Sequence, residues 1–336
     1  MTTNGMRRRT GRMRKRVNGM TDLDGVFDAL LEIEDGGGDG TIEFGRGHEL
    51  AMSSLDKFYF RDAQRTKGDL MRYYVRAAPR LLPLMAGRPL ALKRHPEGVE
   101  GEAFFQQAPP ERTPPGVRVE RVPTEDGPAR RLVGGDLMTL LYCVQLGTIA
   151  VNPWHSRVGS LETPDYTVLD LDPGPRVPVQ MVVQVARWLH DELEAAEISA
   201  AVKTSGSRGL HLVIPLPPRT SSESAQLMAQ LFARRVADAH RKEATTIRSK
   251  SRRSQRAVYI DCMQNVVGKT VVAALSVRAR PGATVSTPLA WAELTDDLDP
   301  TVFTIDTVPD ELDARGRMYL DVLRQGNRLA RLLASA

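Results

Sequence analysis

The chain is expected to form an α+β fold: a mainly antiparallel sheet backed by two helices. Three observations predict it. Residues 166–172 read Tyr-Thr-Val-Leu-Asp-Leu-Asp and stop at Pro173-Gly174, the pattern of a buried strand. The half of the chain around that run reads strand, helix, strand, turn, strand, helix, strand, strand. That order has too few helical crossovers for a doubly wound parallel sheet.

The 336 residues allow two domains, or one large domain with a subdomain. No run of about 18 apolar residues occurs, so no membrane span is expected. Cys143 and Cys262 both sit in apolar runs and read as core residues, not as a disulfide or zinc site. They suit a reducing compartment, and a cytoplasmic location is expected. The net charge of +5 is compatible with a nucleic-acid partner, although many enzymes are as basic.

In chain order, residues 1–40 are expected to be a disordered basic extension. Arg7, Arg8, Arg9, Arg12, Arg14, Lys15 and Arg16, then Asp35-Gly-Gly-Gly-Asp-Gly, leave little to bury. Residues 41–150 are expected to form an N-terminal subdomain. Within it, Leu70 to Leu84 has helical spacing, and Pro89 to His95 reads as a strand. Phe104-Phe105 lies on a further strand. Adjacent strand residues point to opposite faces, so one ring can enter a core while the other is presented outwards; both can also be core. Residues 108–128 read as loop, and Leu137 to Val151 as a helix running into a short strand. Residues 151–300 form the expected central unit. Its helices are predicted over 178–194 and 222–240, its strands over 200–216 (around a turn), 258–261 and 270–277. Residues 301–336 are expected to end in a helix, about 310–333.

The chemistry concentrates on residues 170–278. Asp170 and Asp172 are two apart on a strand, so they share a face, about 6–7 Å apart. Paired carboxylates suit hard divalent cations, and two such ions can clamp a transferring phosphoryl group. By itself Asp-x-Asp is as compatible with a solvated loop. The turn over 203–211 carries Lys203, Ser205, Arg208 and His211 around Gly206 and Gly209, whose backbone amides can approach an anion. A plain hairpin is the alternative. Asp261 ends another strand, Arg278 follows a third, and Arg248, Lys250, Arg252, Arg253 and Arg256 form a basic loop.

Together, Asp170-Leu-Asp172, Ser205-Gly206-Ser-Arg-Gly-Leu-His211, Asp261, Gly268-Lys-Thr and Ser276-Val-Arg278-Ala-Arg-Pro-Gly-Ala resemble the archaeo-eukaryotic primase superfamily. More narrowly, they look like the polymerase domain of bacterial ligase D and its stand-alone Prim-PolC-type relatives. The resemblance runs from about residue 48 to 295 and includes Gly87-Arg-Pro-Leu and Pro96-Glu-Gly-Val. It implies a primase-polymerase fold with an RRM-like sheet and a packed N-terminal α/β subdomain. It implies template-dependent synthesis at short gaps or broken DNA ends, in end joining or excision repair, with NTP or dNTP and often with a preference for ribonucleotides.

By the same resemblance, Asp170, Asp172 and Asp261 would hold two Mn²⁺ or Mg²⁺ ions. Ser205, Gly206, His211 and Arg278 would bind the triphosphate, with Lys203, Arg208 and Asn152 beside it. Lys57 and Lys67 would hold a downstream 5′-phosphate, and Phe104 and Phe105 would stack on the template. Two positions depart from the family pattern: Asn152 stands where a histidine is common, with His155 just behind, and Gln264 stands where an arginine is frequent. No Lys-x-Asp-Gly motif of a ligase is present, so a separate ligase and a DNA-end binding protein are implied partners. Two rival readings remain. A haloacid-dehalogenase phosphatase would want Gly-Thr where Pro173-Gly174 stands. A non-catalytic DNA-end or gap binder would have to tolerate three clustered carboxylates without a metal.

Overall fold

The computed structural model describes residues 13–19, 21–124 and 126–327. Strand β1 (Met13–Arg16) leads into helix α1 (Leu23–Asp35), then strands β2 (Gly40–Glu43) and β3 (Glu49–Met52). β2 is central, parallel to β1 and antiparallel to β3. The expectation of disorder is therefore corrected for residues 13–40. Asp22 caps α1 by accepting from the Gly25 N–H, and Val26, Ala29, Leu30 and Ile33 form an i, i+3, i+4, i+7 stripe that is buried. Of the charges that suggested a solvated tail, Arg14 pairs with Glu43 and Glu49, and Lys15 with Glu32. Residues 1–12, with Arg7, Arg8, Arg9 and Arg12, lie outside the described residues.

Strands β4 (Phe58–Phe60) and β5 (Arg65–Thr66) form a hairpin that feeds α2 (Lys67–Met85). Thr66 and Asp69 make a reciprocal capping box at its start. Pro79 and Pro83 sit inside α2, yet the helix continues, held by twelve buried residues. β6 (Leu90–Arg94) pairs with β7 (Phe104–Gln106). Residues 108–128 are not wholly loop: β8 (Val119–Val122) pairs with β9 (Ala129–Leu132). Helix α3 (Leu137–Gln145) then leads to β10 (Asn152–Pro153), which adds to the free edge of β6.

The remaining chain builds a six-stranded sheet. Its members are β11 (Tyr166–Pro173), β12 (Ala201–Thr204), β13 (Leu210–Pro215), β14 (Ala244–Thr245), β15 (Val258–Asp261) and β16 (Pro288–Leu289), in the order β14-β15-β11-β13-β12-β16. Only β14–β15 is parallel. Helices α4 (Val179–Ala195) and α5 (Ser222–Ala239) cover one face, where Leu169, Leu171, Leu210, Leu212 and Ile260 pack. On the other face Tyr166, Val168, Ala201 and Val213 meet Tyr319 and Leu320 of α6 (Leu312–Gln325). This is the α+β, mainly antiparallel architecture that the element order predicts.

Three further boundaries differ from expectation. Residues 270–277 form no strand. They cross the structure as an irregular segment touching Trp154 and Val285 through single bridges, with Leu275 at φ +65°. Tertiary partners satisfy the segment instead: Tyr73 Oη donates to the Leu275 carbonyl at 2.9 Å, and the Leu275 N–H to the Ser286 carbonyl at 2.7 Å. The last helix ends at Gln325, and residues 328–336 lie outside the described residues. Packing also crosses the boundary expected near residue 150. Leu275, Val277, Val285 and Ile305 share a core with α1, α2 and α3. The buried Arg88 adds a second tie, reaching the carbonyls of Leu84, Trp154 and His155 and the Asp165 carboxylate.

Candidate active site

Register places four polar side chains in one row across the sheet. Asp170 on β11 stands opposite Asp261 on β15 and His211 on β13, and His211 stands opposite Lys203 on β12. Directly opposed residues in antiparallel strands share a face. The row is the continuation, towards one end of the sheet, of the apolar face of Val168 and Val213. Asp172, two residues on, lies opposite Tyr259 on the same face. One strand therefore spends its buried half on packing and its end on carboxylates.

The carboxylates repel one another. Burial, then Asp170, then Asp261 push the Asp172 carboxyl up to about 6, against the pull of Arg253 and Lys250 in the basic loop. Asp170 behaves oppositely: burial raises it, but His211, then Lys203 and Arg278, outweigh burial and hold it below its ordinary value. His211 Nε2 lies 3.2 Å from Asp170 Oδ1, and burial, then Lys203, lower the imidazole to about 4. Asp261 is oriented by its own loop, its carboxylate accepting from the Met263 N–H at 2.8 Å and from Gln264 Nε2 at 3.2 Å.

The expected glycine-rich turn closes the row. The Ser205 N–H donates to the Gly209 carbonyl at 2.9 Å, and Ser205 Oγ accepts from the Ser207 and Gly209 amides at 3.2 and 3.1 Å. Gly206 sits at φ +68°, and a Cβ there would lie 2.3 Å from Arg278 Cγ, so the turn packs against the Arg278 stem. Arg208 is anchored on the Val177 carbonyl. Asp170, Asp172, Ser205, Arg208, Gly209, His211, Asn152, Gln264 and Arg278 all line one cleft of about 370 Å³. Lys203 does not: it is 1% exposed, with Nζ 2.7 Å from both His211 Nδ1 and Ser286 Oγ. Its expected place beside the nucleotide is corrected to one beneath His211.

At the first departure from the family pattern, Asn152 and His155 are placed differently. Asn152 reaches the cleft, its amide donating to the Ala150 carbonyl at 3.0 Å. His155 is buried against Tyr166, lowered to about 3 by burial and Arg88, and does not line the cleft. Asn265, which motif reasoning passed over, holds the loop after Asp261 in place. Where the β15 ladder ends, its amide bonds both the N–H and the carbonyl of Val168 at 2.8 Å.

The donor set is one of hard oxygens with excess negative charge, which fits divalent cations. The three aspartates are spread along the row rather than gathered in one cage. Among the described residues, the trio whose ligand atoms lie within 4.8 Å of one another is His190, Asp191 and Glu194 on the outer side of α4.

A second hollow of about 400 Å³ shares Asn152, Thr270, Arg278 and Arg280 with the first and runs on to Lys93 and Phe105. Phe104 and Phe105 are 47% and 71% exposed, so neither is core. β7 is an edge strand, and its register sets Phe105 opposite Lys93 and Phe104 opposite Arg94, which lie over the rings at 5.7 and 5.2 Å. Lys57 and Lys67 come together through the β4–β5 hairpin, the Lys67 N–H donating to the Lys57 carbonyl. Lys57 pairs with Glu97, and Lys67 is 4% exposed with Nζ on the carbonyls of Ser53 and Gln145. Burial, then Lys57, lower Lys67 to about 8. No helix among the described residues is long and apolar enough to cross a membrane.

The family described as LigD, primase-polymerase domain, matches residues 66–319. The bifunctional non-homologous end joining protein LigD of Bacillus subtilis is 34% identical over 278 residues, which is 82% of this chain and 44% of that one. The multifunctional LigD of Pseudomonas aeruginosa is 32% identical over 251 residues, 74% of this chain and 30% of that one. This chain thus spans less than half the length of these curated relatives. Among solved structures, the polymerase domain from Mycobacterium tuberculosis ligase D in complex with DNA superposes with a TM-score of 0.74 at 30% identity. The match covers 82% of this chain and 98% of that one.

Proposed function

This chain belongs to the LigD primase-polymerase family and is a nucleotidyltransferase of the polymerase type, and on that premise we propose that it fills short gaps or extends primers at broken DNA ends under template direction, with ribonucleotides preferred. The observation that carries the reading is that Asp170, Asp172 and His211 line one cleft with the Ser205–Gly209 turn and Arg278, with Asp261 directly opposite Asp170 on β15. Asp170, Asp172 and Asp261 are the residues to hold two Mn²⁺ or Mg²⁺ ions. Bound there, the ions supply Lewis-acid activation of a primer 3′-hydroxyl and neutralise a triphosphate. The chain's own groups do the rest. Arg278, Arg208 and the amides about Gly206 give the phosphates a positive wall. His211 lines the same wall beside Asp170, and Asn152 and Gln264 flank it.

The second hollow continues the cleft to exposed Phe105, where a template base has an aromatic face and a lysine beside it. Lys67, at the start of α2, and Lys57, whose carbonyl accepts from the Lys67 N–H, suit the 5′-phosphate on the far side of a gap. The relatives named for end joining carry further length beyond the match, so sealing falls to other domains or chains, and a DNA-end binding protein fits beside them. Primer extension with the chain and its Asp170→Ala and Asp261→Ala variants tests the reading. Loss of synthesis in both variants with DNA binding retained supports it; synthesis by either variant contradicts it.

A further inference from the structure

Lys203 ends the row beside His211, fully buried and outside the lining of the cleft. It forms the middle of a hydrogen-bonded chain: the Thr204 carbonyl, Ser286 Oγ, Lys203 Nζ, His211 and Asp170 Oδ1. Both ends of this chain can only accept, because one is a backbone carbonyl and the other a carboxylate. With Lys203 as an ammonium, that sets the directions between them.

From the first end, Ser286 Oγ donates its single proton to the Thr204 carbonyl at 2.7 Å. Ser286 must then accept from Lys203 at 2.7 Å. From the other end, the Asp170 carboxylate accepts from His211 Nε2 at 3.2 Å, so the ring proton sits on Nε2. His211 Nδ1 is left with its lone pair, which receives the second Lys203 N–H at 2.7 Å. With Lys203 as an ammonium, which has no lone pair, a doubly protonated ring would set an N–H against a group that can only donate. The opposite tautomer would set the Nε2 lone pair against the carboxylate.

We propose that Lys203 is a positioning residue for nucleotidyl transfer: its buried amine holds His211 in the Nε2–H tautomer, so that His211 faces Asp170 and the cleft as a donor and not as a metal ligand. The proposal rests on the reading of Asp170 as an ionised metal ligand. It accounts for a lysine fully buried within a row of acids, a place where an unpartnered cation would be costly. It also separates two histidines that the sequence leaves equivalent, since His155 has no such partner and Nε2 there is without a bond.

The test is a long-range ¹H–¹⁵N correlation spectrum of the full chain labelled at histidine, with the His211 signals assigned through His211→Gln. The expected wild-type spectrum has a protonated Nε2 and an unprotonated Nδ1. Lys203→Met should populate both tautomers and lower kcat/KM for nucleotide addition by about 10–100-fold, the usual effect of losing the partner that orients such a histidine. Ser286→Ala keeps the lysine and should keep the tautomer. A wild-type ring protonated at Nδ1 overturns the proposal, as does a Lys203→Met chain with unchanged tautomer and unchanged kcat/KM. If Lys203→Met does not fold, the wild-type spectrum together with Ser286→Ala decides. The spectrum needs no turnover: an inactive wild type with the Nε2–H tautomer would sink the polymerase reading and leave the lysine's role standing.

Discussion

Asp170 and Asp261 stand directly opposite each other on neighbouring antiparallel strands, although ninety residues separate them in the chain. Their pairing, with Asp172 one pleat further on, puts three like charges at the end of one sheet face. Burial and these two neighbours raise Asp172 to about 6. The unfolded value is near 3.9, so the fold disfavours the ionised carboxylate. This group therefore costs stability once pH rises through the interval from about 4 to 6, and costs nothing below it.

Divalent metal should offset that cost. At pH 7, Mn²⁺ at about one hundred times its Kd should stabilise the chain by about 2.7 kcal/mol, read as a rise in Tm, and Asp170→Ala should remove the rise. Because protons compete for Asp172, Mn²⁺ affinity should fall between pH 7 and pH 5. Calorimetric titration at the two pH values checks this; equal affinity would count against Asp172 as a ligand.

Lys67 makes a prediction of the opposite sign. Burial lowers it to about 8 from an ordinary value near 10.4. Its burial cost is fully present below about pH 8 and fades as pH rises towards the unfolded value. Its charge, however, is lost over the same rise. Preference for a gap with a 5′-phosphate over one without should shrink between pH 7 and pH 9, and Lys67→Met should have little preference at either. Competition binding with the two gapped duplexes reads this directly.

Gly206→Ala should damage nucleotide binding more than the fold. The new methyl would lie 2.3 Å from Arg278 Cγ and 3.0 Å from the Ser286 amide, at a φ of +68°. A cost of about 1–2 kcal/mol is expected from the left-handed backbone, and the contact would displace Arg278. KM for the nucleotide should rise while DNA affinity is unchanged. An unchanged KM would mean that the Arg278 stem moves aside freely.

Phe105→Ala should weaken template engagement by about 1–3 kcal/mol, the usual worth of one stacked base. Phe105 is 71% exposed and makes little core contact, so Tm should hold. Fluorescence anisotropy with a gapped duplex separates the two effects.

Much of the site was legible because strand alternation and register are local rules. Asp170, Asp172 and Asp261 end strands, His211 follows a glycine turn, and pairing those strands aligns them. Lys203 was misplaced because alternation gives its face but not its depth: β12 lies inboard, and His211 with Ser286 covers the amine. Asn265 was missed because its partner, the Val168 backbone, becomes exposed to it only where β15 stops short. The disorder expected over 13–40 is overturned because net charge outweighed an eight-residue stretch, Val26 to Ile33, whose apolar residues have helical spacing. Residues 270–277 read as a strand by composition. They run irregular because Tyr73, Tyr74 and Ser286 take their backbone bonds.

The most direct test of the whole account is primer extension on a duplex with a short gap, with Mn²⁺, either NTPs or dNTPs, and a downstream 5′-phosphate present or absent. The account predicts incorporation that follows the template base, is greater with the phosphate and greater with NTPs, and vanishes in Asp261→Ala. Salt-sensitive binding of the same duplex with no incorporation under any of these conditions would contradict it and leave a DNA-end binding protein.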